Sequence, residues 1–256
     1  MCRTVGRRFP LVINSRSLDP DEPPAHVPIM SPNIVYEIAV WLIPLVIAIV
    51  FHEVSHGLVA RRLGDPTAAE RGRLTLNPLR HIDPFGTVIL PLILVVSHAP
   101  VFGWAKPVPV NYRRLKHPRR DMVLVALAGP GMNLLLALVG TVILAGTIRM
   151  AHGDISGGTA FVAANALNFV LINIFLAVFN LLPVPPFDGG HVVEGLLPPA
   201  FGQQFAKLGR YSLLVFVLLL LVLPRLSPKA DVIGQVVSPI VNAIARFMLG
   251  IFRIAV

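Results

Sequence analysis

The chain has 256 residues, of which 55% are hydrophobic and only 14% are charged, and its mean hydropathy is +0.73. Soluble domains carry about 25% charged residues, so this composition excludes an ordinary soluble protein and predicts an integral membrane protein. The net charge of +9 does not indicate a nucleic-acid partner, because the basic residues fall between apolar segments, as signals of membrane orientation do. Cys2 is the only cysteine, which excludes an intramolecular disulfide and a metal site built from cysteines.

The apolar pattern predicts an all-α, polytopic protein with about five to six membrane helices. Residues 1–33 are polar and proline-rich and lack the apolar core of a signal peptide, so we expect a mobile tail. Residues 34–224 form the predicted membrane-embedded core, and 225–256 contain a C-terminal amphipathic or transmembrane helix. The apolar segments, in chain order, are 34–63, 85–96, 122–148, 161–182, 211–223 and 232–254.

The first span carries the sequence His52-Glu53-Val54-Ser55-His56. Residues four apart share one face of a helix, so His52 and His56 can present two imidazoles to one zinc ion. Glu53 lies beside them, where it can take a proton from a water molecule activated at the metal. Ionisable groups inside a bilayer are costly and are candidates for function, although two core histidines satisfied by helix neighbours would give the same pattern.

The segment 85–96 is too short to span a bilayer comfortably. The loops on either side of it are both basic, with five Lys and Arg in 61–85 and six in 105–120, whereas the connector 149–158 holds only Arg149. The positive-inside rule places both basic loops in the cytosol. We therefore expect 85–103 to be re-entrant, dipping into the membrane and returning to the same side.

A catalytic zinc ion usually has three protein ligands, so a third ligand is required. Asp188 is the candidate, because it follows a proline-rich stretch after the 161–182 span, where the chain cannot remain helical. Unwound backbone at membrane depth is tolerated where it is buried in protein or lines a cavity. A solvated loop acid is the alternative for Asp188, and Glu194 and His191 are weaker candidates for the third ligand.

Three asparagines lie within the predicted spans. Asn173 and Asn180 share a face of the 161–182 span, and Asn133 belongs to Gly-Pro-Gly-Met-Asn in the preceding span. Amides bridge packed membrane helices, so packing explains Asn133 and Asn173 adequately. Packing accounts less well for Asn180, which lies eight residues before Asp188.

With these motifs placed, residues 34–195 resemble the site-2 protease family of intramembrane zinc metalloproteases, in particular its compact bacterial and archaeal members without PDZ or CBS domains. Residues 51–57 are similar to the family's first motif, 129–133 to its small-residue and Asn element, and 180–190 to its Asn…Pro…Asp-Gly signature. The resemblance implies one Zn²⁺ bound by His52, His56 and Asp188, with Glu53 as the base. It also implies an Asn near the substrate, for which Asn180 fits best and Asn133 is the next candidate.

The resemblance also implies a multi-pass protein of the plasma membrane, with its site toward the cytosol and transmembrane proteins as substrates. Two other functions fit the sequence less well. A membrane zinc transporter usually has repeated halves with polar residues in several spans, whereas the ligand candidates here lie on two helices. A non-catalytic relative that only binds transmembrane helices would not need all four catalytic positions. The sequence does not indicate an oligomeric state.

Overall fold

A computed structural model describes residues 34–89, 93, 96, 104–151, 155–227 and 231–254. The tail 1–33 that we expect to be mobile lies outside the described residues. The α-helices are α1 Ile34–Arg62, α2 Thr67–Glu70, α3 Pro118–Met150, α4 Gly157–Asn180, α5 Asp188–Leu196, α6 Pro199–Ala206, α7 Ser212–Val217, α8 Leu223–Leu226 and α9 Ser238–Ile251. Short 3-10 turns (Pro78–His81, Tyr112–Arg114, Lys207–Tyr211) and π-helical turns (Pro84–Ile89, Leu218–Val222, Ile233–Val237) connect or extend them. No strand occurs in the described part of the chain.

In the described part of the chain, four helices are long and apolar enough to cross a membrane, which confirms an all-α, polytopic membrane protein. Three of them, α1, α3 and α4, pack on one another and form the core of the bundle. The predicted spans 34–63, 122–148 and 161–182 match these helices within a few residues. The fourth is Ile233–Ile251, which includes α9.

Pro44 lies inside α1, where a proline removes one hydrogen bond from the helix. The carbonyl oxygen that loses its partner is that of Val40, four residues earlier. The Asn168 side chain of α4 donates its amide N–H to this oxygen at 2.8 Å. This bond satisfies the freed carbonyl inside the bundle and ties α1 to α4.

The two ends of the predicted re-entrant segment meet. The Trp104 N–H donates to the Gly86 carbonyl oxygen at 3.1 Å, and the Thr87 hydroxyl donates to the Trp104 carbonyl oxygen at 2.8 Å. Most of the residues between them, 90–92, 94–95 and 97–103, lie outside the described part of the chain. Because the chain leaves and returns at the same point, both basic loops lie at the same end of the bundle.

The predicted span 211–223 corresponds to the helical segment Leu214–Leu226, within three residues at each end. This segment meets Pro199–Tyr211 at a bend of 74°, and the pair would add a fifth span if it crosses the membrane as one unit. Apolar residues predict that the segment leaves water, but they do not predict the bend that precedes it.

The C-terminal helix α9 packs on the bundle by one face. Its apolar stripe, formed by Val237, Val241, Ala245 and Leu249, is buried against the bundle. Its polar face, with Asn242 and Arg246, is exposed. The helix therefore packs on the bundle by its apolar face and leaves its polar face exposed.

Candidate active site

Helix α1 brings the two motif histidines together inside the bundle. His52 is 7% exposed and His56 is 8% exposed, and their Nε2 atoms are 3.1 Å apart. Glu53 projects from the next position and is half-buried, and its Oε2 accepts a hydrogen bond from the Val108 N–H at 2.8 Å. The helical spacing of the motif therefore produces the predicted pair of imidazoles with a carboxylate beside them.

Asp188 reaches the same place from the other end of the core. It is the first residue of α5, after a non-helical turn that contains three prolines. Its Oδ2 atom is 3.2 Å from the His52 Nε2 and 3.4 Å from the His56 Nε2. A Cβ on Gly189 would overlap the carbonyl oxygens of Leu181 and Leu182, so this tight return of the chain onto the end of α4 requires glycine.

The start of α5 is held in turn by Phe187, which is buried against the rings of Phe179 and Phe216. The end of α5 packs on the first turn of α3. A Cβ on Gly195 would overlap the Val123 side chain, and the Arg119 guanidinium donates to the Gly195 carbonyl oxygen at 3.2 Å. Both ends of the helix that carries Asp188 are thus fixed.

The hydrogen bond of His56 identifies which ring nitrogen carries its proton. The His56 Nδ1 is 2.7 Å from the carbonyl oxygen of Val125 on α3. A carbonyl oxygen only accepts hydrogen bonds, so Nδ1 must be the donor. The neutral imidazole then has an unprotonated Nε2, which faces Asp188.

His52 is oriented by a relay of two asparagines. The Asn173 amide N–H donates to the Phe169 carbonyl oxygen, which leaves the Asn173 Oδ1 to accept from the Asn133 amide N–H, each at 2.8 Å. The Asn133 Oδ1 must then face the His52 Nδ1, 2.6 Å away, and accept its proton. A backbone carbonyl on α4 therefore determines that the His52 Nε2 is also unprotonated.

The three side chains fit a metal ion. His52, His56 and Asp188 each offer one ligand atom, and these atoms lie within 4.8 Å of one another. The Asp188 Oδ2 is buried without a hydrogen-bond donor, so with both imidazoles neutral three lone pairs converge, an arrangement that a metal cation would satisfy. Zinc ligands at about 2.0–2.1 Å in a tetrahedron are about 3.3 Å apart, close to the separations found here.

Helix α3 can approach this cluster only because residue 129 is glycine. A Cβ on Gly129 would lie 2.5 Å from both the His52 Cε1 and the His56 Nε2. Gly131, two residues further along the same helix, has no heavy atom within 4 Å of a Cβ built there. The glycine at 129 therefore makes room for the imidazoles, whereas the one at 131 does not.

The remaining predicted residues occupy different positions. Asn133 is fully buried and binds His52, and its contact with substrate stays a prediction. Asn180 is half-buried at the end of α4, where its amide N–H donates to the Leu176 carbonyl oxygen. His191 and Glu194 pair with each other at 3.5 Å and are not part of the metal-binding group.

Sequence reasoning missed two contributors to the site. Asn173 was expected only to pack helices, but it is the second member of the relay to His52. The Val108 backbone N–H that binds Glu53 left no trace in the sequence, because any residue except proline carries a backbone N–H. The sequence shows the seven-residue spacing of Asn173 and Asn180, but it does not show which of them acts on a metal-binding histidine.

Comparison with known proteins gives the same result. The model of peptidase family M50 matches residues 40–166 and 141–223. The chain is 41% identical over 182 residues to the "putative zinc metalloprotease YwhC" of Bacillus subtilis, covering 70% of this chain and 78% of that protein. It is 32% identical over 189 residues to the "putative zinc metalloprotease Rip2" of Mycolicibacterium smegmatis (72% and 66%) and 34% identical over 193 residues to Rip2 of Mycobacterium tuberculosis (74% and 68%). No solved structure matches the chain significantly. The chain therefore belongs to peptidase family M50, the site-2 proteases, and is a membrane zinc metalloprotease.

Proposed function

We propose that this protein is an intramembrane endopeptidase in which His52, His56 and Asp188 bind one Zn²⁺ and Glu53 is the general base. The observation that carries the proposal is the convergence of the His52 Nε2, the His56 Nε2 and an Asp188 oxygen inside the bundle, where each residue offers one ligand atom. Glu53 follows His52 directly. It is the one carboxylate in the sequence His52 to His56, and it is not part of the metal-binding group.

Each protein group has a defined task in peptide hydrolysis. When bound, zinc supplies a Lewis acid that activates water and polarises the scissile carbonyl. Glu53 accepts the proton of the attacking water and passes it to the leaving amine nitrogen. Asn133 keeps the His52 ring in one tautomer and orientation, as partners of metal-binding histidines commonly do.

The substrate that suits a site inside the bundle is a transmembrane helix. The scissile carbonyl of such a helix is held in an intrahelical hydrogen bond, so the substrate must unwind locally before it is cut. Asn180 lies at the end of α4, eight residues before Asp188, and only one donor of its amide is used by the Leu176 carbonyl oxygen. We assign it to contact with the unwound substrate backbone.

The site opens toward the cytosol in this proposal. Both basic loops lie at one end of the bundle, and the positive-inside rule places such loops in the cytosol. His56 is eight residues before Gly64 at that end of α1, so the metal would lie about 12 Å inside, at 1.5 Å per residue. Water must therefore reach the metal through a polar cleft on the cytosolic side.

A zinc transporter would need polar residues in several places along a path through the membrane. Within the described residues, His52, His56 and Asp188 form the one group able to hold a metal. A non-catalytic helix-binding relative would not preserve both a metal-binding group and an adjacent carboxylate. These observations favour proteolysis over both alternatives.

The proposal is tested by Glu53→Gln in cells that co-express a panel of single-span substrates. We expect cleavage to disappear while the zinc content of the purified protein stays at the parental value, because Glu53 transfers a proton and does not bind the metal. Glu37→Gln, in the first turn of the same helix, is the matched control and should cleave normally. Undiminished cleavage by Glu53→Gln would refute the mechanism, and zinc flux into vesicles without any cleavage would favour the transporter.

A further inference from the structure

Residues 104–111 cross α1 beside the proposed base. The Val108 N–H donates to the Glu53 Oε2 at 2.8 Å, and the Val108 side chain is 7% exposed. A Cβ on Gly57, one turn after Glu53, would lie 2.9 Å from the Val108 Cγ1. The 104–111 segment therefore lies directly on the face of α1 that carries the carboxylate.

The prolines on both sides of Val108 restrict what this segment can do. Pro107 and Pro109 have no N–H and have fixed φ angles, so between Lys106 and Val110 the backbone is stiff and has a single donor. That donor is the N–H that binds Glu53.

The upstream half of the 104–111 segment is fixed at Lys106. The Lys106 N–H donates to the His81 carbonyl oxygen at 2.8 Å, and the Lys106 carbonyl oxygen accepts from the Arg73 guanidinium at 2.6 Å. The same guanidinium contacts the Pro107 carbonyl oxygen at 3.4 Å. Arg73 is only 8% exposed, and its guanidinium, which is costly to bury without hydrogen bonds, is bonded here to the backbone of Lys106 and Pro107.

The downstream half of the segment is fixed by Asp65, which is fully buried just beyond the end of α1. One Asp65 oxygen accepts from the Thr67 N–H at 3.0 Å, and the other accepts from the Asn111 N–H at 2.5 Å. Burial by itself raises the pKa of Asp65, but hydrogen bonds from Thr67 and Asn111 outweigh it and hold the pKa below its usual value. Asp65 is therefore a charged anchor at neutral pH.

We propose that the 104–111 segment positions Glu53 for proton transfer, with the Val108 N–H holding one carboxylate oxygen so that the other is presented to the reacting water. Arg73 and Asp65 are positioning residues that act through this segment and touch neither metal nor substrate. This inference rests on the proposed role of Glu53 as the base.

The first test removes the Val108 N–H and uses a second variant to control for the loss of side-chain packing. Val108→Pro removes the donor, whereas Val108→Ala keeps the donor and removes most of the same side chain. With a single-span substrate that the parent cleaves, we expect kcat of Val108→Pro to fall about 10²-fold, the usual cost of a misplaced catalytic group, with KM and zinc content unchanged. Val108→Ala should keep kcat within a fewfold of the parent. Parental kcat in Val108→Pro, or an equal loss in both variants, would overturn the inference.

If Val108→Pro does not accumulate, Asp65→Asn tests the same inference, because it loosens the 104–111 segment at its downstream anchor. The amide cannot accept from both Thr67 and Asn111 as the carboxylate does, so the downstream anchor is lost with little change of shape. We expect kcat to fall about tenfold with zinc retained. An unchanged kcat would exclude the role assigned to Asp65.

A second measurement does not depend on activity. Among residues 106–110, only Lys106, Val108 and Val110 have backbone N–H groups, so deuterium exchange can follow the Val108 amide. Glu53→Ala should speed its exchange at least tenfold in zinc-free protein, whereas Glu37→Ala should not. If exchange is unchanged, the 104–111 segment does not hold Glu53. If exchange responds but Glu53→Gln still cleaves substrate, the contact stands and the proposed function fails.

Discussion

The two flanks of α1 at the site are built in opposite ways. On one flank, α3 and α4 are regular helices. Their buried asparagines, Asn173 and Asn133, form an unbroken chain of hydrogen bonds from the Phe169 carbonyl oxygen to His52. On the other flank, the irregular 104–111 segment contacts a half-buried Glu53 through one backbone N–H. The first arrangement suits a permanent metal site, and the second suits a carboxylate that must exchange protons with water. Changes on the first flank should therefore alter zinc affinity, and changes on the second should alter turnover.

The largest effect is expected from Gly129→Ala on the metal flank. The added Cβ would lie 2.5 Å from both imidazoles, so α3 must move away or the histidines must turn. We expect loss of most bound zinc and of all cleavage, measured by metal analysis of the purified protein.

Gly131→Ala is the matched control for this change. It makes the same substitution on the same helix with no neighbour within 4 Å, and alanine favours a helix by up to about 1 kcal/mol over glycine. Normal zinc content in both variants would mean that α3 does not pack against the imidazoles as described.

Asn180→Ala should act on turnover and not on zinc affinity, because Asn180 lies at the end of α4, outside both the relay to His52 and the 104–111 segment. Its amide is placed to hold the substrate backbone or the developing oxyanion, and losing one such donor costs about 10²–10³ in rate. Zinc content should equal that of the parent. Parental kinetics in this variant would leave Asn180 with only its bond to the Leu176 carbonyl oxygen, as a residue of helix packing.

Asn133→Ala should weaken zinc binding by about 10–100-fold, the usual cost of removing the partner of a metal-binding histidine. The His52 Nδ1–H loses its acceptor, so the ring can turn and the tautomer is no longer fixed. Competition with a chelator measures the change. A lowered turnover at parental zinc affinity would instead favour the contact with substrate that the sequence suggested for Asn133.

Asn173→Ala should have the smallest effect on zinc affinity, less than about tenfold, because Asn173 acts on His52 only through Asn133. Asn165→Ala on the same helix is its control, since the Asn165 amide N–H donates to the Phe161 carbonyl oxygen and not to the relay. An equal loss in both variants would indicate a general loosening of α4.

Features that repeat along one helix were predictable from the sequence. The pairing of His52 with His56 follows from their spacing, and three spans follow from continuous apolar runs. The bend between Pro199–Tyr211 and Leu214–Leu226 was not predictable, because apolar residues favour the membrane equally in a straight or a broken helix. For α9 the polar stripe was visible, but which face packs inward depends on the apolar surface of its neighbours.

Contacts between residues far apart in the chain explain why the rest of the site could not be predicted from the sequence. The sequence identified Asn133 as a polar residue within a span, but its bond to His52 joins residues 81 positions apart. Asp188 could be predicted as a ligand only from the need for a third donor and from the family motif. Its distance to both imidazoles depends on a proline-rich turn and on Gly189, whose geometry no periodic pattern describes.

The most direct test of the central claim compares the zinc content of purified Asp188→Ala and Glu53→Gln. Both residues are carboxylates beside the same histidines, but we assign Asp188 to binding the metal and Glu53 to transferring the proton. We expect about one zinc per chain in Glu53→Gln and a large loss of zinc in Asp188→Ala, with neither variant cleaving substrate. Full zinc content in Asp188→Ala would contradict this assignment and would make Glu194, His191 or Glu53 itself the third ligand.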